Sequence, residues 1–174
     1  TQLYRGSHFL RGFDDDVRTF LADEMCKKGI DLRFNTNITR IKKKKDVYLA
    51  ELEDGTQIET DLIMYATGRT PNAKGIGLEE AGVELNAQGA IVVDDYFKSS
   101  VSSFYAIGDV IDRIALTPVA IAEGMVRAAN MFRGETGTMD YADVPTAVFS
   151  QPNIGTVGLT EAQAREAYSA IDIY

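Results

Sequence analysis

The chain has 174 residues, of which 45% are hydrophobic, and its formal net charge is −8. This apolar content is sufficient for the core of one domain or of parts of two, whereas the acidic balance argues against non-specific binding to nucleic acid. No apolar run approaches the roughly 18 residues that a membrane helix needs. The single cysteine, Cys26, cannot form an internal disulfide, so we expect a cytoplasmic protein, and no residue pattern predicts a metal site.

The sequence pattern of the first third of the chain predicts one helix followed by several strands. Carboxylates at Asp14–Asp16 suit the free amides and the positive dipole end of a helix start, and Gly29 follows as a stop signal. From "IDLRF" onward the pattern favours a small meander with a turn at Asp54-Gly55, and then a buried strand over residues 62–66. The apolar residues at helical spacing are Val17, Phe20, Leu21 and Met25.

The composition changes after Gly68, where glycine, asparagine and proline become frequent, as in a long connection or a domain crossover. The stretch "AIVVDDYFKSSVSSFYAIGDV" then predicts two short strands, the second ending at Gly108-Asp109. A helix follows, for which we predict Thr117 as N-cap, Pro118 at the first position and Gly134 past the end.

The last segment predicts a strand, a Pro-Asn turn, a second strand and a helix capped by Thr160. Both ends of the chain read as interrupted elements, because "QLYR" is typical of the end of a strand and "SAIDIY" of the beginning of one. We therefore expect the chain to be a piece of a larger protein.

Gly108-Asp109 is the first candidate for chemistry. A carboxylate at the C-terminal end of a buried strand commonly accepts hydrogen bonds from the sugar hydroxyls of a nucleotide. The free amides of the helix that starts at Thr117 would suit a group that gains negative charge, such as a flavin on reduction. The alternative is that Asp109 only closes a turn and that the helix is ordinary packing.

Five motifs occur in an order that carries more information than any one of them: "RGSHFLRGFD", "ATGRTPN", "FYAIGDV", "LTPVAIAEG" and "FSQPNIGTVGLTEAQA". In this order they resemble the pyridine-nucleotide disulfide oxidoreductases, over nearly the whole chain. Within that family the motifs are most similar to those of the glutathione and trypanothione reductases. The statements of role that follow are what this resemblance implies.

The resemblance implies that Arg5 and Arg11 hold the 2′-phosphate of NADPH, a role that suits guanidinium groups because they bind phosphate oxygens in pairs. The alternative is two surface arginines that pair with Asp14–Asp16. The remaining residues expected near NADPH are Gly68 and Arg69 and, at backbone positions near the nicotinamide, Ala115 and Ala147.

For FAD, the resemblance implies that Asp109 binds the ribityl chain and that Thr117 lies beside the pyrimidine edge of the flavin. Met125 falls at a substrate position where some glutathione reductases carry an arginine for a glutathione carboxylate. Methionine cannot form that ion pair, so this position leaves the disulfide open; simple packing of Met125 on its helix is equally compatible.

The implied architecture is an α/β fold, namely part of a Rossmann-like flavoprotein with two dinucleotide-binding domains, plus the start of an α+β dimerisation domain. Residues 1–70 would be the second half of the NADPH-binding domain, 71–140 the returning part of the FAD-binding domain, and 141–174 the start of the dimerisation domain. The FAD phosphate loop, the NADPH glycine loop, the redox cysteine pair and the acid-base histidine lie outside the chain. We therefore expect no catalytic residue within it, and neither Cys26 nor His8 is one.

The implied activity of the intact homodimer is transfer of a hydride from NADPH to FAD, and then of electrons through a cysteine pair to a disulfide such as oxidised glutathione. One alternative is another member of the family, a trypanothione, mercuric or dihydrolipoamide-type reductase. The arginine pair disfavours the NAD-linked last of these. The other alternative is a non-catalytic nucleotide-binding or assembly module.

Overall fold

The computed structural model describes all 174 residues, which divide into two compact units. Unit 1 comprises Thr1–Tyr65 and Asp143–Tyr174, and unit 2 comprises Ala66–Ala142. Helices and short sheets alternate along the chain. None of the helices combines the length and the apolar character that crossing a membrane requires.

The first elements of unit 1 are a parallel strand pair and a helix. Strand β1 (Gln2–Leu3) pairs in parallel with strand β2 (Leu32–Arg33), and helix α1 (Asp15–Lys27) connects them. The predicted start and end of α1 are confirmed. Its buried residues are Leu21 and Ala22, which pack with Phe9, whereas Val17 and Phe20 are exposed.

The predicted meander is confirmed as strands β3 (Ile38–Lys44), β4 (Val47–Leu52) and β5 (Gln57–Thr60), which pair antiparallel in that order. The predicted Asp54-Gly55 turn joins β4 to β5, and the Thr56 amide donates to the Asp54 carboxylate at 2.9 Å. Side chains alternate between the two faces of a strand, and the fully buried residues of β4 are Ala50 and Leu52.

The buried strand predicted over residues 62–66 is wrong. This segment forms no strand, and its side chains are open to solvent, with Leu62 77% and Met64 82% exposed. An apolar run indicates that a segment has strand propensity. A buried strand also needs neighbouring strands to hydrogen-bond with and other elements packed on both of its faces. The only parallel ladder in the chain is the short β1–β2 pair, and residues 62–66 do not join it.

The C-terminal part of unit 1 follows the prediction up to its last helix. Strands β6 (Thr146–Val148) and β7 (Ile154–Thr156) form an antiparallel pair, and helix α3 (Glu161–Ala167) follows. Thr160 caps α3 as predicted, in a capping box in which Thr160 and Gln163 each accept the other's backbone N–H. The strand expected to begin at "SAIDIY" is absent.

Unit 2 contains isolated bridges where two short strands were predicted: Leu85 with Ile91, Val93 with Ser99, and Lys98 with Tyr105. The reason is local competition for backbone hydrogen bonds. The Asp94 carboxylate accepts the backbone N–H groups of Tyr96 and Lys98, both at 2.9 Å, so the chain turns instead of extending a ladder. A 3-10 turn over Gly108–Ile111 stands where the second strand was expected to end.

Helix α2 (Thr117–Phe132) follows this turn and ends before Gly134, as predicted. Its N-cap is Leu116, not Thr117, and no side chain caps it. Because α2 starts one residue earlier than predicted, Pro118 lies within its first turn, where a missing N–H leaves no helical bond unmade. Phe97, Ala106 and Ile111 form the core beside the 3-10 turn.

Candidate functional site

Arg5 lies directly beyond the carboxyl end of β1. The chain continues beside β2 after the strand ends, since the Thr36 amide donates to the Tyr4 carbonyl at 3.1 Å and the Asn35 amide to the Gly6 carbonyl at 2.9 Å. Ligands of open α/β sheets bind at the carboxyl ends of parallel strands. The backbone therefore presents Arg5 at the edge where a nucleotide would be expected.

Arg11 belongs to the same connection between β1 and α1. It lies between Leu10 at φ +54° and Gly12 at φ +91°, in a tight turn closed by the Phe13 amide on the Leu10 carbonyl at 3.2 Å. The turn leaves the Arg11 side chain exposed, as is that of Arg5.

Neither arginine forms an ion pair within the chain. The alternative that they pair with Asp14–Asp16 is therefore wrong. Asp15 pairs with Arg18, and the Asp14 carboxylate accepts the backbone N–H of Glu161 at 2.6 Å. Two exposed guanidinium groups without a carboxylate partner retain their full capacity for an anionic ligand.

Arg18 of α1 holds the connection that carries both arginines. Its Nε donates to the Phe9 carbonyl at 2.7 Å and its Nη2 to the His8 carbonyl at 2.9 Å. The His8 ring stacks on Phe34, with centroids 4.9 Å apart. Sequence reasoning missed Arg18, because nothing along the chain marks which carbonyl groups a helical arginine reaches.

A second candidate site, within unit 2, is the 3-10 turn over Gly108–Ile111. Asp109 is exposed, and its carboxylate forms no hydrogen bond or ion pair within the chain. Its carbonyl accepts the Asp112 amide at 3.3 Å, which closes the turn. The turn therefore presents a free carboxylate that can accept hydrogen bonds from a ligand's hydroxyl groups.

Gly108 allows this turn to lie directly against α2. Its φ is +72°, a backbone conformation that favours glycine, and a Cβ at this position would lie 3.1 Å from the Cβ of Ala120. Gly124, one turn further along α2, would place a Cβ 3.3 Å from Ile107 Cδ1. The absence of two side chains thus brings the Asp109 backbone close to the first turns of the helix.

A buried polar network lies beneath the turn. Glu123, which is 1% exposed, accepts the Gly108 amide on Oε2 at 2.6 Å and the Tyr141 hydroxyl on Oε1 at 2.7 Å. Arg113 donates to the Tyr141 oxygen at 3.1 Å and to the carbonyl of Asp94 at 3.0 Å. Burial raises the pKa of the Tyr141 phenol, and the hydrogen bond to Glu123 raises this pKa further, so the hydroxyl remains a donor at neutral pH.

Sequence reasoning missed this network as well. One signal was available, since Glu123 follows Val119 by four residues and so places a charge on the face of α2 that is buried. The partners of Glu123 lie 15 and 18 residues away along the chain, and no local pattern joins them.

The other predicted site residues fall in both units. In unit 2, Gly68 has φ +128°, and both Gly68 and Arg69 are exposed. Arg69 forms no ion pair. Ala115 and Thr117 are exposed around the start of α2. Met125 is 70% exposed on α2. In unit 1, Ala147 is exposed in β6 opposite Gly155. The structure thus brings Asp109, Ala115 and Thr117 to one end of α2.

Comparison with known proteins identifies the family. Residues 1–124 match the family described as pyridine nucleotide-disulphide oxidoreductase, and residues 144–174 match the dimerisation domain of the same family. The chain belongs to this family. The resemblance inferred from the five motifs is therefore confirmed.

Two curated relatives show how far the similarity extends. The chain is 47% identical over 173 residues to the glutathione reductase of Burkholderia cepacia, an alignment that covers 99% of this chain and 38% of the relative. It is 43% identical over 173 residues to the trypanothione reductase of Leishmania donovani, with 98% and 35% covered. The chain thus spans well under half the length of the curated relatives that it matches.

A solved structure shows the same fold. The flavoprotein disulfide reductase RclA from Escherichia coli, described as HOCl-induced, superposes with a TM-score of 0.88 over 94% of this chain and 38% of its own, at 28% identity. The predicted fold class, an α/β arrangement of the Rossmann-like flavoprotein type, is confirmed by this match and by the family.

Proposed function

We propose that this chain is the central part of an NADPH-dependent flavoprotein disulfide reductase whose substrate is oxidised glutathione. The observation that carries the proposal is the 47% identity to a glutathione reductase over 99% of this chain. The intact protein would transfer a hydride from NADPH to FAD and then electrons, through a cysteine pair outside this chain, to the disulfide.

The choice of NADPH over NADH rests on Arg5 and Arg11. The 2′-phosphate of NADPH carries about two negative charges, and each guanidinium can donate two parallel hydrogen bonds to it. Both side chains are exposed and unpaired in the connection that follows β1, so binding need not break an existing ion pair. The backbone of Gly68 and the side chain of Arg69 are proposed contacts of the same cofactor, as are the backbone positions of Ala115 and Ala147.

The residues present also fit FAD. Asp109 offers a free carboxylate for the ribityl hydroxyls, and Gly108 lets that turn lie against α2. Thr117 lies at the N-terminal end of α2, where free amide groups favour negative charge. FAD, when bound, supplies the redox chemistry, and the residues of this chain orient it.

The proposed disulfide substrate rests on the curated relatives, and Met125 limits which contacts that substrate can make. Met125 is exposed on α2, where it can contact a substrate, but its thioether cannot form an ion pair with a glutathione carboxylate. Oxidised glutathione is the proposed substrate because the first two relatives, from Burkholderia cepacia and Pisum sativum, are glutathione reductases. Trypanothione disulfide is the second candidate, because the Leishmania relative is 43% identical.

The proposal includes the assembly and the domain roles. The dimerisation-domain match over residues 144–174 favours a homodimer, in which residues 1–70, 71–140 and 141–174 would serve the NADPH-binding, FAD-binding and dimerisation domains. We propose a cytoplasmic location, with no nucleic-acid or membrane partner.

The proposal can be tested with the full-length reductase and its Arg5→Gln/Arg11→Gln variant. We expect flavin in the purified protein and NADPH oxidation that depends on oxidised glutathione, with trypanothione disulfide as the competing substrate. Each charge-assisted contact that is lost should cost about 1.5–3 kcal/mol, so kcat/KM for NADPH should fall by about tenfold to a hundredfold per arginine. The value for NADH should stay nearly constant.

Arg40→Gln is the matched control, because Arg40 is an exposed arginine of β3 that also forms no ion pair. It should leave kcat/KM unchanged for both cofactors. Equal losses for NADPH and NADH in the double variant would contradict a 2′-phosphate contact, and a protein purified without flavin would contradict the proposed reductase.

A further inference from the structure

Glu123 is a buried charged residue whose position the packing of α2 does not explain. It is 1% exposed and follows the buried Val119 by one helical turn, where an apolar side chain would suit the core better. Burying a carboxylate is costly unless its oxygens receive hydrogen bonds. The two hydrogen bonds that Glu123 receives therefore indicate what its carboxylate does.

Each carboxylate oxygen has one donor from a different part of unit 2. Oε2 accepts the Gly108 amide at 2.6 Å and Oε1 accepts the Tyr141 hydroxyl at 2.7 Å. No cation contacts Glu123 directly; Arg113 reaches it only through Tyr141, and its guanidinium lies over the Tyr141 ring at 5.4 Å. A carboxylate can accept both bonds, whereas the amide of glutamine has only one acceptor oxygen.

The bond to Gly108 determines the orientation of the peptide that precedes Asp109. Gly108 has φ +72° and lies against Ala120, so its amide points into the unit toward Glu123. The next residue, Asp109, then emerges at the surface with a free carboxylate. If the Gly108 amide lost its acceptor, its burial would favour a different orientation of this turn.

We infer that Glu123 is a positioning residue for flavin binding: by accepting the Gly108 amide it holds the turn in which the Asp109 carboxylate meets the ribityl hydroxyls of FAD. Tyr141 supports Glu123 through its second oxygen. This inference rests on the proposed function, because it needs FAD at Asp109.

A double-mutant cycle distinguishes positioning from general stabilisation. In the full-length reductase, the release of FAD is followed by the rise in flavin fluorescence for Glu123→Gln, Asp109→Asn and the double variant. Each single variant should release FAD about tenfold faster. If Glu123 acts by positioning Asp109, its replacement should matter little once the Asp109 carboxylate is gone. In the Asp109→Asn background, Glu123→Gln should therefore increase the rate of FAD release by less than about twofold.

Val119→Ala is the matched control, because Val119 is equally buried and lies one turn away on the same helix. It should lower the urea midpoint as Glu123→Gln does, but any effect on FAD release should multiply with that of Asp109→Asn. Tyr141→Phe, which removes one donor and no charge, is the second variant and should release FAD faster with the same non-additivity.

Multiplicative effects of Glu123→Gln and Asp109→Asn, or no effect of Glu123→Gln on FAD release, would overturn the inference while leaving the proposed function intact. A wild-type protein that holds no FAD would overturn both. Non-additive release by Glu123→Gln or Tyr141→Phe, together with multiplicative behaviour of Val119→Ala, is the supporting result.

Discussion

Replacement of Gly108 by alanine tests the close approach of the Asp109 turn to α2. Gly108 has φ +72°, and an added Cβ would lie 3.1 Å from the Cβ of Ala120. The left-handed backbone alone should cost an alanine about 1–2 kcal/mol. The contact with Ala120 should add about 1–2 kcal/mol, because a helix backbone can retreat only by shifting its own packing.

Gly75 provides the matched control within the same unit. It has the same φ of +72°, but an added Cβ there would meet no atom within 4 Å. Gly75→Ala should therefore show the cost of the left-handed backbone without the cost of a steric contact. We expect Gly108→Ala to lower the free energy of unfolding by about 1–2 kcal/mol more than Gly75→Ala does.

Urea denaturation of the full-length protein, followed by circular dichroism, measures the stability of both variants, and flavin fluorescence measures the retention of the proposed FAD. The double variant Gly108→Ala/Ala120→Gly removes the Cβ that the new methyl group would meet. Glycine at position 120 costs about 1 kcal/mol of helix propensity by itself, so the double variant should be more stable than the sum of the single effects predicts. Equal losses for Gly108→Ala and Gly75→Ala, or strict additivity with Ala120→Gly, would refute the close-contact argument.

Three further predictions concern single side chains. Arg18→Ala should lower the free energy of unfolding by about 1–3 kcal/mol in urea denaturation, because two partly buried carbonyl groups lose their charged donor. Under the proposed function it should also raise KM for NADPH. Tyr141 has its pKa raised above 10.0 by burial and by Glu123, so the stability it contributes is complete below about pH 10 and is lost as the pH rises through the folded-state pKa. The stability difference between wild type and Tyr141→Phe should therefore be constant up to about pH 10 and shrink above it, and an unchanged difference above that pH would contradict the assignment. Thr160→Ala should lower the free energy of unfolding by about 1 kcal/mol through loss of the capping box with Gln163, whereas Thr160→Ser should restore it.

Residues that act within one or two turns of the chain could be predicted from the sequence. The start of α1 at its carboxylates, the capping box at Thr160 and the turn at Asp54-Gly55 each depend on groups within about four residues of one another. The family motifs likewise identified Arg5 and Arg11 as candidate ligands of an anion, and the structure adds that neither has a partner within the chain.

Only the tertiary structure decided which groups are buried and what holds the candidate site. Residues 62–66 have the composition of a buried strand and are exposed, because burial depends on neighbouring strands and not on propensity. Arg18 reaches carbonyl groups 9 and 10 residues away, and Glu123 joins an amide 15 residues before it to a hydroxyl 18 residues after it. Such bonds form where folding brings distant polar groups together out of water, and the residue pattern of one segment does not indicate which distant segment it will contact.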